Sequence, residues 1–227
     1  MRSELRPLVR LLSLKQARTG DRNLYWGTLG RAEIVATTTG IGTRAAARTA
    51  ERILDAIPVQ HLVVVGIAGG LGPSVDIGDL VVPELVIDLA TGTKYRPSVI
   101  GDAKARGTLA TSNEVLIDRV EAARLERQGV IAVDMETAAI AAVCESRACP
   151  WSVFRAISDR AGDGPIDPAL LGLAGPDGEP NLRALMRFVL MNPKGVPNLA
   201  RLGRGLRLAT NAAASGAVSA LRKMYAI

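Results

Sequence analysis

The sequence predicts an α/β fold, a layered arrangement of helices on a sheet, and three observations carry that prediction. Strand-like and helix-like segments alternate along the chain. Short apolar runs end at the glycine clusters Gly40-Ile41-Gly42 and Gly66-Ile67-Ala68-Gly69-Gly70-Leu71-Gly72. Alanine-rich stretches with a helical period follow several of the strands. With 227 residues, 48% of them hydrophobic and 22% charged, the chain can bury a full core. The expectation is a single domain over residues 1–227 with a basic amphipathic tail over about 181–227.

The elements follow in order. Residues 2–8 open the chain with a helical pattern. Residues 32–38 are short and β-branched and read as a strand, and residues 43–57 form a helix that ends before Pro58. Residues 61–67 read as a buried strand stopped by glycines, and 79–87 as a strand in which Pro83 places a bulge or an edge. Residues 130–133 read as a strand running into a helix over 134–147, and Pro150 separates that helix from a strand over 151–157. Residues 161–180, rich in glycine, proline and aspartate, read as a loop long enough to be functional. Residues 182–191 place Leu182, Leu185, Met186 and Val189 on one helical face, and Pro193 and Pro197 break that helix. Beyond them Leu199, Leu202 and Leu206 alternate with Arg201, Arg204 and Arg207 at roughly helical spacing. That is the composition of an interfacial helix, and equally of a helix docked on the body or on a partner subunit with its arginines outward.

Composition excludes several classes of function. Apolar runs such as 62–65 fall far short of the ~18 residues a spanning helix needs, and Met1-Arg2-Ser3-Glu4 carries no signal-peptide core, so a cytoplasmic protein is expected. The two cysteines, Cys144 and Cys149, lie five positions apart and His61 is the one histidine, which suits neither a disulfide framework, nor a metal site, nor a histidine-activated nucleophile. No metal and no organic cofactor is expected. An aromatic content of 3% with no recognition motif argues against nucleic acid as a partner. The net charge of +6 is uneven: eight basic residues and no acid follow Glu179, whereas the first 180 residues hold twenty basic and twenty-two acidic ones. Such a tail fits a polyanionic surface or a solvated helix face.

The glycine cluster at 66–72 lets backbone approach a ligand closely and offers amides to an anion or a polar ring edge. It is neither a phosphate-binding Walker loop nor a dinucleotide fingerprint, because no Lys-Ser/Thr follows it and the glycine spacing differs. Val133-Asp134-Met135-Glu136-Thr137 lies where a strand hands over to a helix, the edge of an open α/β sheet at which ligands bind. Asp134 also fits a helix N-cap, and Glu136 a favourable partner of the helix dipole. Ser158-Asp159 ends a strand at the same edge, where an Asx-turn is the structural alternative.

Together these stretches resemble the nucleoside phosphorylase and nucleosidase superfamily, which includes purine nucleoside phosphorylase and methylthioadenosine/S-adenosylhomocysteine nucleosidase. The likeness is carried by Thr39-Gly40-Ile41-Gly42, Gly66-Ile67-Ala68-Gly69-Gly70-Leu71, Asp76-Ile77-Gly78-Asp79, Asp134-Met135-Glu136-Thr137-Ala138-Ala139 and Arg155-Ala156-Ile157-Ser158-Asp159, and it spans the chain to about residue 163. It implies a three-layer fold, a central mixed sheet flanked by helices, and a homo-oligomer, with a dimer the first expectation. It makes Glu136 the acceptor for the ribose hydroxyls, packs Met135 against the sugar, and has Asp159 bind and protonate the purine. Val115 and Leu116 match positions covering the base; Asp134, Ile67, Ala68, Gly69 and Ser158 complete the substrate site. Glu4, within Arg2-Ser3-Glu4-Leu5, aligns with the acid that orients the attacking water. The strand that precedes this acid in the superfamily is absent, so a start upstream of Met1, or a shortened form, is expected.

That division of labour suits the chemistry. Cleaving an N-glycosidic bond passes through an oxocarbenium-like transition state, which needs an acid for the leaving base, polar contacts to the sugar and a nucleophile on the other face. Asp159 must carry a proton, which burial favours, and Glu4 must stay ionised. Phosphorylases of the superfamily hold phosphate with arginines and a hydroxyl residue. Here Ile67 stands at the hydroxyl position, and Gly40, Gly42 and Arg44 are the residues left for a phosphate or water site. Hydrolysis is therefore favoured, with phosphate a co-substrate in the phosphorolytic alternative. Residues 167–171, Gly178, Leu185, Arg187, Pro193 and 199–208 resemble the hopanoid-associated branch, adenosylhopane nucleosidase or phosphorylase, more than the methylthioadenosine enzymes. The implied substrate is a lipid-linked nucleoside, and the basic tail would meet the membrane surface. Methylthioadenosine, S-adenosylhomocysteine and futalosine nucleosidases are the enzymatic alternatives, and a nucleoside-binding protein at a membrane surface is the non-enzymatic one.

Overall fold

The computed structural model describes residues 1–17, 23–113, 119–160 and 196–225. Helix α1 (Arg2–Leu11) leads into a small antiparallel sheet of β1 (Lys15–Gln16), β2 (Tyr25–Leu29) and β3 (Ala32–Ala36), followed by α2 (Thr43–Ala56). The main sheet has seven strands: β4 (Leu62–Gly70), β5 (Leu80–Val81), β6 (Leu85–Asp88), β7 (Lys94–Tyr95), β8 (Thr108–Thr111), β9 (Val130–Asp134) and β10 (Trp151–Arg160). Helices α3 (Arg119–Arg127), α4 (Thr137–Ser146) and α5 (Val196–Met224) complete the described elements. The strand order β5-β10-β4-β9-β8-β6-β7 is mixed, with β10 parallel to β4 and β9 antiparallel to it.

Strand β10 lies between β4 and the short β5, and its sequence, Trp-Ser-Val-Phe-Arg-Ala-Ile-Ser, is buried throughout because it is covered on both faces. Val153 and Ile157 pack with Ala46 and Ala50 of α2 and Ile140 and Ala141 of α4. Phe154 faces the other way, onto Ala217, Val218 and Leu221 of α5 and Leu12 beside α1. The result is the three-layer mixed α/β architecture the resemblance implies.

Several elements differ from their sequence reading. Strand β4 runs through Gly66, Gly69 and Gly70 instead of stopping at them, because β10 pairs with it along its whole length. The strand read over 79–87 is two strands either side of Pro83: β5 pairs with β10, whereas β6 pairs with β8. Proline has no amide proton to continue a ladder. Helix α4 starts at Thr137 and not at 134, because Asp134 still belongs to β9 and Met135 and Glu136 form the bend ahead of the helix. Strands β1, β2, β7 and β8 and helix α3 gave no signal that was read. The loop over 161–180 and the helix over 182–191 lie outside the described residues.

The basic tail becomes a layer of the fold. Helix α5 turns Ala209, Ala213, Ala217 and Ala220 to the sheet, buried, and leaves Arg201, Arg204 and Arg207 exposed. Pro197 sits in its first turn, where a missing amide proton is tolerated. Gly205 lets the helix meet β10 backbone directly: a Cβ there would stand 2.2 Å from the Ser158 carbonyl oxygen. No helix among the described residues is long and apolar enough to cross a membrane. Gly205→Ala should destabilise the protein by about 1–3 kcal/mol in urea denaturation, even though alanine is the better helix former by about 1 kcal/mol. Unchanged or raised stability would mean that α5 is not seated on Ser158.

Candidate active site

An arginine in the middle of a buried apolar strand must find its counter-charges inside the protein. Arg155, at the centre of β10 with 5% of its side chain exposed, finds three. Its Nη2 lies 2.6 Å from Asp134 Oδ2 at the end of β9 and 3.3 Å from Glu136 Oε2 at the start of α4. Its Nη1 lies 3.9 Å from Glu4 Oε1 on α1. Sequence reading of the site missed Arg155, although the signal was there: one charge in an otherwise apolar, strand-like run.

Each carboxylate is also held by neutral donors. The Ile67 amide donates to Glu4 Oε1 at 3.1 Å, and the Gly42 amide donates to Glu136 Oε1 at 3.1 Å. Asp134 accepts from the Thr137 amide and hydroxyl and, at 2.7 Å, from the Thr111 hydroxyl. Its carboxylate thus caps the first turn of α4 while it pairs with Arg155, so Asp134 holds the site from behind. Ser158 donates to Asp159 Oδ1 and to the Ala68 carbonyl. Gly66 is what allows this convergence, since a Cβ on it would stand 2.3 Å from Arg155 Nη1 and 2.5 Å from Glu4 Oε1.

Glu4, Glu136 and Asp159 open onto one cavity of about 870 Å³, with Ile67, Ala68, Gly69, Asp134, Met135, Ser158 and Gly40 in its wall. Gly42 stands behind Glu136 as its amide donor. Arg44 is exposed on the first turn of α2 and is not part of the wall. Val115 and Leu116 lie outside the described residues. The cavity extends between β3 and β4. Among the described residues β9 pairs with β4 only at Gly69 and Gly70, so the edge of β4 before them and the outer edge of β3 both face this space. No group of three or more His, Cys, Asp and Glu among the described residues is placed to hold a metal ion.

Burial raises the pKa of Glu136; Arg155 opposes that shift, Asp134 and Glu4 reinforce it, and the Gly42 amide opposes it. Burial works against the charge of Arg155, but Asp134, Glu136 and Glu4 outweigh it and hold the guanidinium firmly protonated. Burial likewise pushes the Cys144 thiol up to about 12, which leaves it inert beside Cys149.

The fold and this wall of carboxylates define a nucleoside-cleaving enzyme of the phosphorylase type. The chain belongs to the phosphorylase superfamily, whose family model matches residues 1–104 and 101–189. It is 30% identical over 170 residues to the 5′-methylthioadenosine/S-adenosylhomocysteine nucleosidase of Anoxybacillus flavithermus, covering 62% of this chain and 73% of that protein. Among solved structures it resembles the 5′-methylthioadenosine/S-adenosylhomocysteine nucleosidase of Colwellia psychrerythraea in complex with adenine, at 22% identity and a TM-score of 0.71 over 99% of this chain and 92% of that one. The futalosine hydrolase of Helicobacter pylori is similar at 20% identity and a TM-score of 0.70, covering 97% and 94% of the two chains.

A raised pKa makes Glu136 a pH-dependent element of stability. Its carboxyl binds a proton more tightly folded than unfolded, so its contribution is complete below its ordinary value of 4.5 and is lost as pH rises through the raised folded value. Urea denaturation across pH 4 to 7 should therefore show the stability of wild type falling relative to Glu136→Gln as pH rises. A constant difference would show that burial does not govern this carboxyl.

Proposed function

We propose that the protein is a nucleosidase that hydrolyses the N-glycosidic bond of a 5′-substituted adenosine and releases adenine, with adenosylhopane as its substrate. The observation that carries the reading is the convergence of Glu4, Glu136 and Asp159 on one cavity, around a guanidinium that neutralises part of their charge. Glu136 accepts hydrogen bonds from the ribose hydroxyls, and Met135 packs beside it against the sugar. Asp159 gives its proton to the purine as the C1′–N bond breaks. Glu4, held by the Ile67 amide, takes a proton from the water that adds to C1′.

Water is favoured over phosphate by charge. Arg155 is committed to carboxylates and Arg44 lies away from the cavity wall, so neither is placed to hold a phosphate dianion, which would also meet the carboxylates of Glu4 and Glu136. The lipid-linked substrate is supported by the hopanoid-branch resemblance and by the position of the basic helix. Arg201, Arg204 and Leu208 line a groove of about 460 Å³ with Ile77, and Gly205 in the same groove touches Ser158, the neighbour of Asp159. An anionic leaflet on that face would sit beside the catalytic strand, each arginine near the surface contributing about 1 kcal/mol. A homo-oligomer is the assembly the resemblance implies.

Chromatography of free adenine, with methylthioadenosine and a 5′-terpenoid adenosine side by side, each with and without phosphate, tests the activity. Adenine from the terpenoid substrate without phosphate is the expected result, and Asp159→Asn should lower kcat by about 10²- to 10⁴-fold. Turnover of methylthioadenosine alone would move the enzyme to the small-thioether nucleosidases; strict phosphate dependence would make it a phosphorylase; no adenine from either would overturn the reading. The membrane half is tested separately. Arg201→Glu, Arg204→Glu and Arg207→Glu combined should abolish sedimentation with phosphatidylglycerol vesicles and leave turnover of the terpenoid adenosine in detergent solution unchanged, whereas retained sedimentation would remove the membrane role. Truncating the tail would not serve, because α5 is a layer of the core.

A further inference from the structure

Thr137 follows Glu136 at the start of α4, completely buried. A threonine hydroxyl has one proton to give and two lone pairs, and here all of this capacity is in use. The proton goes to Asp134 Oδ2, while the oxygen accepts from Arg155 Nε at 3.2 Å and from Arg155 Nη2 at 3.1 Å. Every partner is charged, which makes these the stronger kind of hydrogen bond.

The two contacts from Arg155 come from one edge of its guanidinium and meet at one atom. An ion pair from Nη2 to Asp134 alone would let the planar group swivel about that contact. Pinning Nε and Nη2 to the same oxygen removes the swivel. Nη1 is then turned toward Glu4, and Nη2 stays within 3.3 Å of Glu136. A second hydroxyl braces the arrangement from behind: Thr111 on β8 donates to Asp134 Oδ1 at 2.7 Å and accepts from the Ala138 amide at 2.9 Å.

We infer that Thr137 is a positioning residue whose hydroxyl sets the orientation of the Arg155 guanidinium, and through it the placement of Glu4 and Glu136 at the cavity. The activity readout rests on the nucleosidase reading; the geometry has a readout of its own. Valine has the shape of threonine but leaves the Arg155 Nε–H without its acceptor in a buried site. Serine keeps the hydroxyl and loses only the methyl group.

The experiment compares Thr137→Ser, Thr137→Val and Thr137→Ala with wild type in two measurements. In kinetics, serine should stay within about threefold of wild type in kcat, whereas valine and alanine should fall about ten- to hundredfold, the scale expected when catalytic groups are displaced by an ångström. In NMR of protein carrying ¹⁵N-arginine, a slowly exchanging Arg155 Nε–H, assigned by its loss in Arg155→Lys, should be present in wild type and serine and absent in valine and alanine. A valine variant with wild-type kcat, or a serine variant as impaired as alanine, overturns the inference. If valine does not fold, the serine and alanine pair decides. If wild type releases no adenine, the nucleosidase reading fails, and the Nε–H signal alone then decides the role of Thr137.

Discussion

A single buried cation organises this molecule. Arg155 sits in the middle of a strand covered on both faces, and a guanidinium in such a place is tolerable only if its partners are brought to it. They come from α1 and from the junction of β9 with α4, two parts of the chain remote in sequence. The same pairs that satisfy the arginine gather two acids at the cavity wall and fix a third behind them. Stability and site are thus one arrangement, and a change to any of the carboxylates alters the charge balance of the others.

The sheet serves this constraint through its choice of residues. Strand β4 is held in register by β10, so it can carry glycines at positions where side chains from α1 and β10 must pass over it. Small residues on α5 perform a parallel service on the opposite layer, letting a long helix lie flush on β10. The arginines of that helix point outward because its inward face, mostly alanine and glycine with Val218 and Leu221, is packed on the sheet.

Much of this was legible in the sequence, for stated physical reasons. The alternation of segments gave the layered fold, and the position of Glu136 and Ser158-Asp159 at strand ends placed them on one edge. The resemblance added Glu4, which composition and spacing alone would have left on an ordinary amphipathic helix. Arg155 was visible as a residue and invisible as a hub, because its partners are set by tertiary approach and not by sequence distance. The split at Pro83 was half legible: proline announced an interruption, but not that the two halves join different neighbours. The short strands β1, β7 and β8 carry too few residues to show a period, and β4 was cut short because glycine reads as a stop when the strand that supports it is unknown.

The facing edges of β3 and β4 bear on how this chain meets other proteins. Unpaired strand edges on a surface recruit further strands and are usually guarded by charge, proline or twist. Here the guard is depth. A recessed edge is out of reach of another folded sheet, which is too wide to enter, and part of it is already capped, since the Ile67 amide donates to Glu4. Depth and the Glu4 carboxylate together blunt an edge that would pair with other sheets if it lay on an open surface.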